Sequence, residues 1–125
     1  EGDYMDKKIL VVDDAMFMRS IIRKILKEDG YTQVWEAQDG EKAMELFREV
    51  SPDLVLLDIT MPGRSGLEVL EEMLSLVPNI RVIMCSAVGQ EMMIQKALTI
   101  GAADFIVKPF KADEFSRIVN RCLEQ

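Results

Sequence analysis

The sequence predicts an α/β fold, a doubly wound parallel sheet of five strands with helices on both faces, and three observations predict it. Short apolar runs alternate with amphipathic stretches five times along the chain. The runs are continuously apolar instead of alternating, which is how strands read when crossover helices cover both faces of a parallel sheet. The chain has 125 residues, 49% of them apolar. A single domain of that size buries roughly two thirds of its unfolded surface and needs no disulfide or metal staple.

The first unit is Ile9-Leu10-Val11-Val12, followed by Phe17, Ile21, Ile22, Ile25 and Leu26 at helical spacing. Gly30 then stops that helix from the C′ position. A strand over 34–37 precedes a helix over 40–50, and a strand over 54–57 precedes a helix over 66–77. The last two units pair a strand over 81–85 with a helix over 89–100, and a strand over 105–107 with a helix over 112–123. Leu54-Val55-Leu56-Leu57 is the best candidate for a strand buried on both sides. Right-handed crossovers put the ligand crevice beyond the C-terminal ends of the strands, so functional residues should follow the strands. Glu1-Gly2-Asp3-Tyr4 has no place in this plan and reads as a tag remnant or a frayed end. The domain is therefore expected over 5–125, with Met5 as its natural start.

Composition removes whole classes of chemistry. With no histidine, a Ser-His-Asp triad, a Cys-His pair and His-ligated zinc or haem are impossible. Cys85 and Cys122 lie far apart without CxxC spacing and read as core residues. A net charge of −7 opposes phosphate backbones, so this domain alone is expected to bind no nucleic acid. Apolar runs of four or five residues are far too short to span a membrane, and the acidic start is wrong for a secretory signal. A cytoplasmic location is expected. Carboxylates, hydroxyls and lysines must carry the chemistry.

They sit at the strand ends. The first strand ends in Asp13-Asp14, the third in Asp58, the fourth in Ser86-Ala87 and the fifth in Lys108-Pro109. Three carboxylates gathered on one edge repel unless they share a cation, which points to a hard divalent ion, magnesium, with manganese as a substitute. Lys108 adds a fixed positive charge, and the two together could neutralise an incoming phosphoryl group. Each residue also has a plainer reading. Asp13-Asp14 could be a helix cap and first-turn acid, Asp58 a loop opener, Ser86 a cap, and Lys108 a surface charge beside a turn proline. All four plain readings would have to hold together at four strand ends of one sheet.

Asp13-Asp14 after the first strand, Asp58-Ile59-Thr60-Met61-Pro62 with Gly66 following, Ser86-Ala87 and Lys108-Pro109-Phe110 resemble the signature of bacterial response-regulator receiver domains, over 7–123. More narrowly, Asp13 to Arg19, Cys85 to Gln90 and Gly101 to Phe110 resemble the stand-alone chemotaxis regulators of Gram-positive and thermophilic type. The resemblance implies a flavodoxin-like sheet with strand order 2-1-3-4-5 and a signalling phosphoacceptor instead of an enzyme, one that assists its own phosphotransfer and autodephosphorylation. It implies that Asp58 takes a phosphoryl group from a histidine kinase. Asp14, Asp58 and the backbone carbonyl of Thr60 would bind magnesium directly, and Asp13 through a water. Lys108 and the Ser86 hydroxyl would contact phosphoryl oxygens.

The same resemblance makes Ser86 and Phe105 the switch pair, at places where the family often has threonine and tyrosine. Thr60 and Val88 would flank the path of the hydrolytic water and tune the lifetime of the phosphorylated state. The output surface would be the fourth helix, fifth strand and fifth helix. Met92-Met93-Ile94 cannot all be buried on one helix face, so at least one should be exposed there. Expected partners are the kinase, an output target such as a flagellar motor switch protein, and a phosphatase; a monomer with no membrane contact is expected. A different phosphorelay, or a receiver cut from a longer regulator, would share the site. An aspartate-nucleophile phosphatase of the haloacid dehalogenase type resembles DxDxT, but Thr60 stands where its second Asp would be. A flavodoxin-like electron carrier needs a phosphate cradle that Asp13-Asp14 would repel.

Overall fold

The computed structural model describes residues 6–124, so the expectation for Glu1-Gly2-Asp3-Tyr4 and Met5 lies outside the described residues. Five strands alternate with five helices: β1 Lys8–Val12, α1 Met16–Glu28, β2 Gln33–Ala37, α2 Gly40–Val50, β3 Leu54–Asp58, α3 Gly66–Leu76, β4 Arg81–Ala87, α4 Glu91–Ile100, β5 Asp104–Lys108 and α5 Ala112–Glu124. The strands form one parallel sheet in the order β2-β1-β3-β4-β5.

The alternation of side chains along each strand divides the core in two. Leu10, Val12, Val55, Leu57, Val82 and Met84 pack with α2, α3 and α4. Ile9, Val11, Leu54, Leu56, Ile83 and Cys85 pack with α1 and α5. Both faces of β3 are therefore dry, and every one of its residues is buried. Each such leucine contributes about 2 kcal/mol through burial, which is why the strand carries no polar residue until Asp58 at its end.

Gly30 performs the predicted stop. Its φ is +98°, a left-handed conformation that glycine adopts without penalty, its N–H donates to the Lys27 carbonyl, and the Tyr31 N–H donates to Leu26. The apolar spacing of α1 overstated its buried face. Ile22, Ile25 and Leu26 are buried, whereas Phe17 is 67% exposed and Ile21 is also exposed. Position 19 takes the place on the inner face that the pattern assigned to position 17, and it holds a buried arginine. The largest boundary differences lie at the junction of β4 and α4. β4 runs on to Ala87, and α4 begins only at Glu91, because Gly89 lies in a left-handed turn between them. Met92 is 78% exposed and Ile94 is buried, as the three consecutive apolar residues required.

Strand order reverses between β1 and β3: the chain leaves β1 for β2 on one side and returns to β3 on the other. The loops after β1 and β3 consequently part, and the crevice between them is where a doubly wound sheet places its ligands.

Candidate functional site

Asp13 follows β1 and Asp58 ends β3, so both stand at this crevice. Neither Asp13 nor Asp14 caps α1. The N-cap is Ala15, without a side-chain bond, and no acid lies in the first turn. Asp13 is buried, and its Oδ1 accepts the Ala15 N–H at 2.9 Å. Asp14 is exposed. One carboxylate oxygen from each of Asp13, Asp14 and Asp58 lies within 4.8 Å of the others. An all-oxygen donor set of this kind fits a hard cation and no soft one. These are the residues that could hold the metal.

Lys108 ends β5 and reaches across the edge to the same cluster. Its ammonium donates to Asp13 Oδ2 at 3.0 Å and lies 3.5 Å from Asp58 Oδ1. Burial works against that positive charge, but the Asp13 hydrogen bond and the charges of Asp58 and Asp13 outweigh it and hold the ammonium above its ordinary pKa. Asp58 moves the other way from a normal carboxylate. Its burial, opposed by Lys108 and reinforced by Asp13, pushes the pKa from 3.8 up to about 6. A buried carboxylate held at that value is a group in need of more positive charge.

Two features shape the space around Asp58. The loop after it doubles back so tightly that a Cβ on Gly66 would meet the Asp58 carbonyl oxygen at 2.2 Å; only glycine allows this approach, and the Gly66 N–H donates to Ile59. On the neighbouring strand, Cys85 is the register partner of Asp58, and Ser86 follows it. Ser86 is a strand residue, not a cap, and its fully buried Oγ has no hydrogen-bond partner. A hydroxyl orphaned in that way normally costs about 1–3 kcal/mol. Such a group at the carboxylate edge calls for a physical explanation. The Cys85 thiol, pushed up to about 12 by burial, is no nucleophile.

The sequence profile of the response regulator receiver domain matches residues 9–120 of this chain. The chain belongs to that family. The receiver domain is 48% identical over 119 residues to the chemotaxis protein CheY of Bacillus subtilis (strain 168), covering 95% of this chain and 99% of that one. Against the sporulation initiation phosphotransferase F of the same organism it is 39% identical over 119 residues, or 95% of each chain. The crystal structure of the receiver domain of NtrX from Brucella abortus is similar at a TM-score of 0.90 and 37% identity, over 94% of this chain and 99% of that one. The protein is thus a CheY-like receiver domain of the two-component type, and receiver domains are signalling phosphoacceptors that act with histidine kinases and output targets. No helix among the described residues is long and apolar enough to cross a membrane.

The receiver domain gathers Asp13, Asp14, Asp58 and Lys108 at one point, with Ser86 one residue beyond the register partner of Asp58. Thr60 touches the group through its N–H, 3.4 Å from Asp58 Oδ1. Val88 is 75% exposed and contacts none of these carboxylates by hydrogen bond or charge. Phe105 shares the α4-facing side of the sheet with Ser86, since Met84 pairs with Phe105 and Ser86 with Val107. It is exposed, and with Ala87, Val88, Ile94, Leu98 and Val107 it lines a cavity of about 200 Å³. A larger concavity, about 670 Å³ between α2 and α3, lies away from this edge; its arginines, Arg48 and Arg64, are both paired with Glu72.

Two residues of the site were not singled out from the sequence. Arg19 is buried behind the acidic loop, where its guanidinium donates to the Asp13 carbonyl at 2.6 Å and to Glu36 at 3.0 Å, which fixes the loop that carries both acids. Its spacing from Ile22 and Leu26 was the available signal. Gln90 folds back from the start of α4, accepting the Ala87 N–H at 2.7 Å and donating to Thr60 Oγ1. No local pattern marks that contact.

Proposed function

We propose that the protein takes a phosphoryl group from a phosphohistidine of a partner kinase onto Asp58, in the presence of magnesium or manganese, and thereby switches its output face, in chemotaxis. The observation that carries the reading is the buried, unpartnered Ser86 hydroxyl one residue beyond the register partner of a buried Asp58 whose pKa calls for more positive charge.

Asp58 Oδ attacks phosphorus in line with the P–N bond. A P–O bond forms as the P–N bond breaks, and the departing electron pair stays on the imidazole of the kinase, which takes up a proton. Asp14, Asp58 and the Thr60 carbonyl, with Asp13 through a water, would hold a divalent cation, whose positive charge would act against the phosphoryl oxygens. The Lys108 ammonium leaves its pairing with Asp13 and Asp58 for a phosphoryl oxygen, and the Ser86 hydroxyl donates to another. Movement of Ser86 clears the α4-facing side for the Phe105 ring, altering the surface formed by α4, β5 and α5. The exposed Met92 and the Phe105 cavity support this surface as the place where an output target, such as a flagellar motor switch protein, docks. The CheY relatives favour chemotaxis and a cytoplasmic setting, while the likeness to a sporulation phosphotransferase keeps another phosphorelay as the second reading.

Acetyl phosphate with magnesium is expected to add one phosphoryl group to the chain, read by intact mass, and excess chelator to prevent it. Equal labelling in chelator would overturn the metal's role.

Lifetime of the phosphorylated state offers a second check. Thr60 and Val88 carry no carboxylate or amide that could hold a hydrolytic water in line with phosphorus. A Thr60→Asn, Val88→Glu double variant is expected to lose phosphate faster than the parent by roughly tenfold or more, and the parent to rely on a separate phosphatase. Equal decay in magnesium would show that these positions do not limit hydrolysis.

A further inference from the structure

The two loops beside Asp58 are joined by a single side chain. Gln90, the half-buried residue just before α4, does not cap its own helix with its side chain but turns the carboxamide back toward the loops. Its Oε1 accepts the Ala87 N–H at 2.7 Å, and its Nε2 donates to Thr60 Oγ1 at 2.5 Å, thirty residues away in the chain. One end of the bridge is therefore on the loop after β4 and the other on the loop after β3.

The direction of the Ala87 N–H gives this bridge its meaning. In a strand, backbone groups alternate from side to side, so residues two apart point the same way. The Cys85 carbonyl accepts the Ile59 N–H and therefore faces β3. Ala87, two residues on, must direct its N–H to the same side, toward the loop that follows Asp58. Gln90 occupies this donor, and the neighbouring Ser86 hydroxyl has no partner. A phosphoryl group on Asp58 would find two donors on adjacent residues of β4, one free and one taken.

We propose that Gln90 is a positioning residue that holds the unphosphorylated conformation, its carboxamide competing with the phosphoryl oxygens for the Ala87 N–H and tying Ser86-Ala87 to Thr60. The inference rests on Asp58 being the phosphoacceptor. Phosphorylation has to release Ala87 from Gln90 before Ser86 and Ala87 can close on the group. The glutamine sets how readily this happens and takes no part in forming the P–O bond. The left-handed glycine at Gly89 gives the turn the freedom to let go.

Beryllofluoride with magnesium provides the test, read by backbone amide NMR titration on the whole chain. Gln90→Ala is expected to bind it roughly fivefold more tightly than the parent, the worth of one displaced neutral hydrogen bond. The Ala87 amide of the free variant should already lie toward its bound position. Thr60→Val removes the far anchor and should tighten binding less. The double variant should match Gln90→Ala alone, because both changes break one bridge. Unchanged or weaker binding by Gln90→Ala, with the parent binding normally, overturns the latch. No binding by the parent overturns the phosphoacceptor reading instead. A loss of thermal stability without a change in affinity would reduce Gln90 to a structural role.

Discussion

Asp58→Asn is expected to abolish phosphoryl transfer from acetyl phosphate or from a phosphorylated kinase. The carboxamide keeps the shape of the side chain and its place at the end of β3 but has no lone pair basic enough to attack phosphorus, so labelling should fall by at least about a thousandfold. Asp13 is the control for this assignment. It is equally buried and close to Lys108, yet one of its oxygens accepts the Ala15 N–H and the other accepts Lys108. The Asp58 oxygen near Lys108 has only a long contact with the Thr60 N–H as its hydrogen bond. Intact mass and peptide mapping of both proteins check the outcome. Undiminished labelling of the variant, or a phosphoryl group mapped to Asp13 in the parent, would move the acceptor away from Asp58.

The same substitution is expected to stabilise the metal-free protein at neutral pH. An Asp58 pKa raised from 3.8 to about 6 means that the folded state holds its proton more tightly than the unfolded state does. Folded protein then binds more protons between about pH 4 and pH 6, and by linkage its stability falls as pH rises through this window. Above about pH 6 the full penalty is in force, about 3 kcal/mol at 1.36 kcal/mol per tenfold change in proton affinity. Below about pH 4 it is absent. Asparagine removes the buried charge but also takes one partner from Lys108, so the net gain at pH 7.5 in chelator should be about 1–3 kcal/mol, a sizeable share of the 5–15 typical of a domain. The difference between the variant and the parent should shrink toward zero near pH 4, whereas other acid effects act on both proteins alike. Urea unfolding at the two pH values checks this. A pH-independent difference, or a less stable variant at pH 7.5, would show that burial is not what raises the Asp58 pKa. Magnesium should reverse the order by stabilising the parent through binding to its folded state.

The sequence alone makes the five strand and helix units legible, because continuous apolar runs and three- to four-residue spacing are local properties that survive in any packing the chain adopts. It also determined which residues meet at the site. In a parallel sheet every strand delivers its C-terminal end to one edge, so Asp13-Asp14, Asp58, Ser86 and Lys108 converge once the units are in order. The remaining features depend on how the folded elements meet. Periodicity names the residues that share a helix face but not how far the neighbours reach around it, so Phe17 and Ile21 lie outside the cover that buries Ile22 and Leu26. Arg19 is buried only because the carbonyl of Asp13 and the carboxylate of Glu36, from two different strand ends, receive its guanidinium. The empty hydrogen-bonding capacity of Ser86 and the bridge from Gln90 to Thr60 likewise depend on which backbone groups neighbouring loops leave paired or unpaired. Contacts between loops thirty residues apart obey distance and angle in the folded state, and no spacing along the chain encodes them.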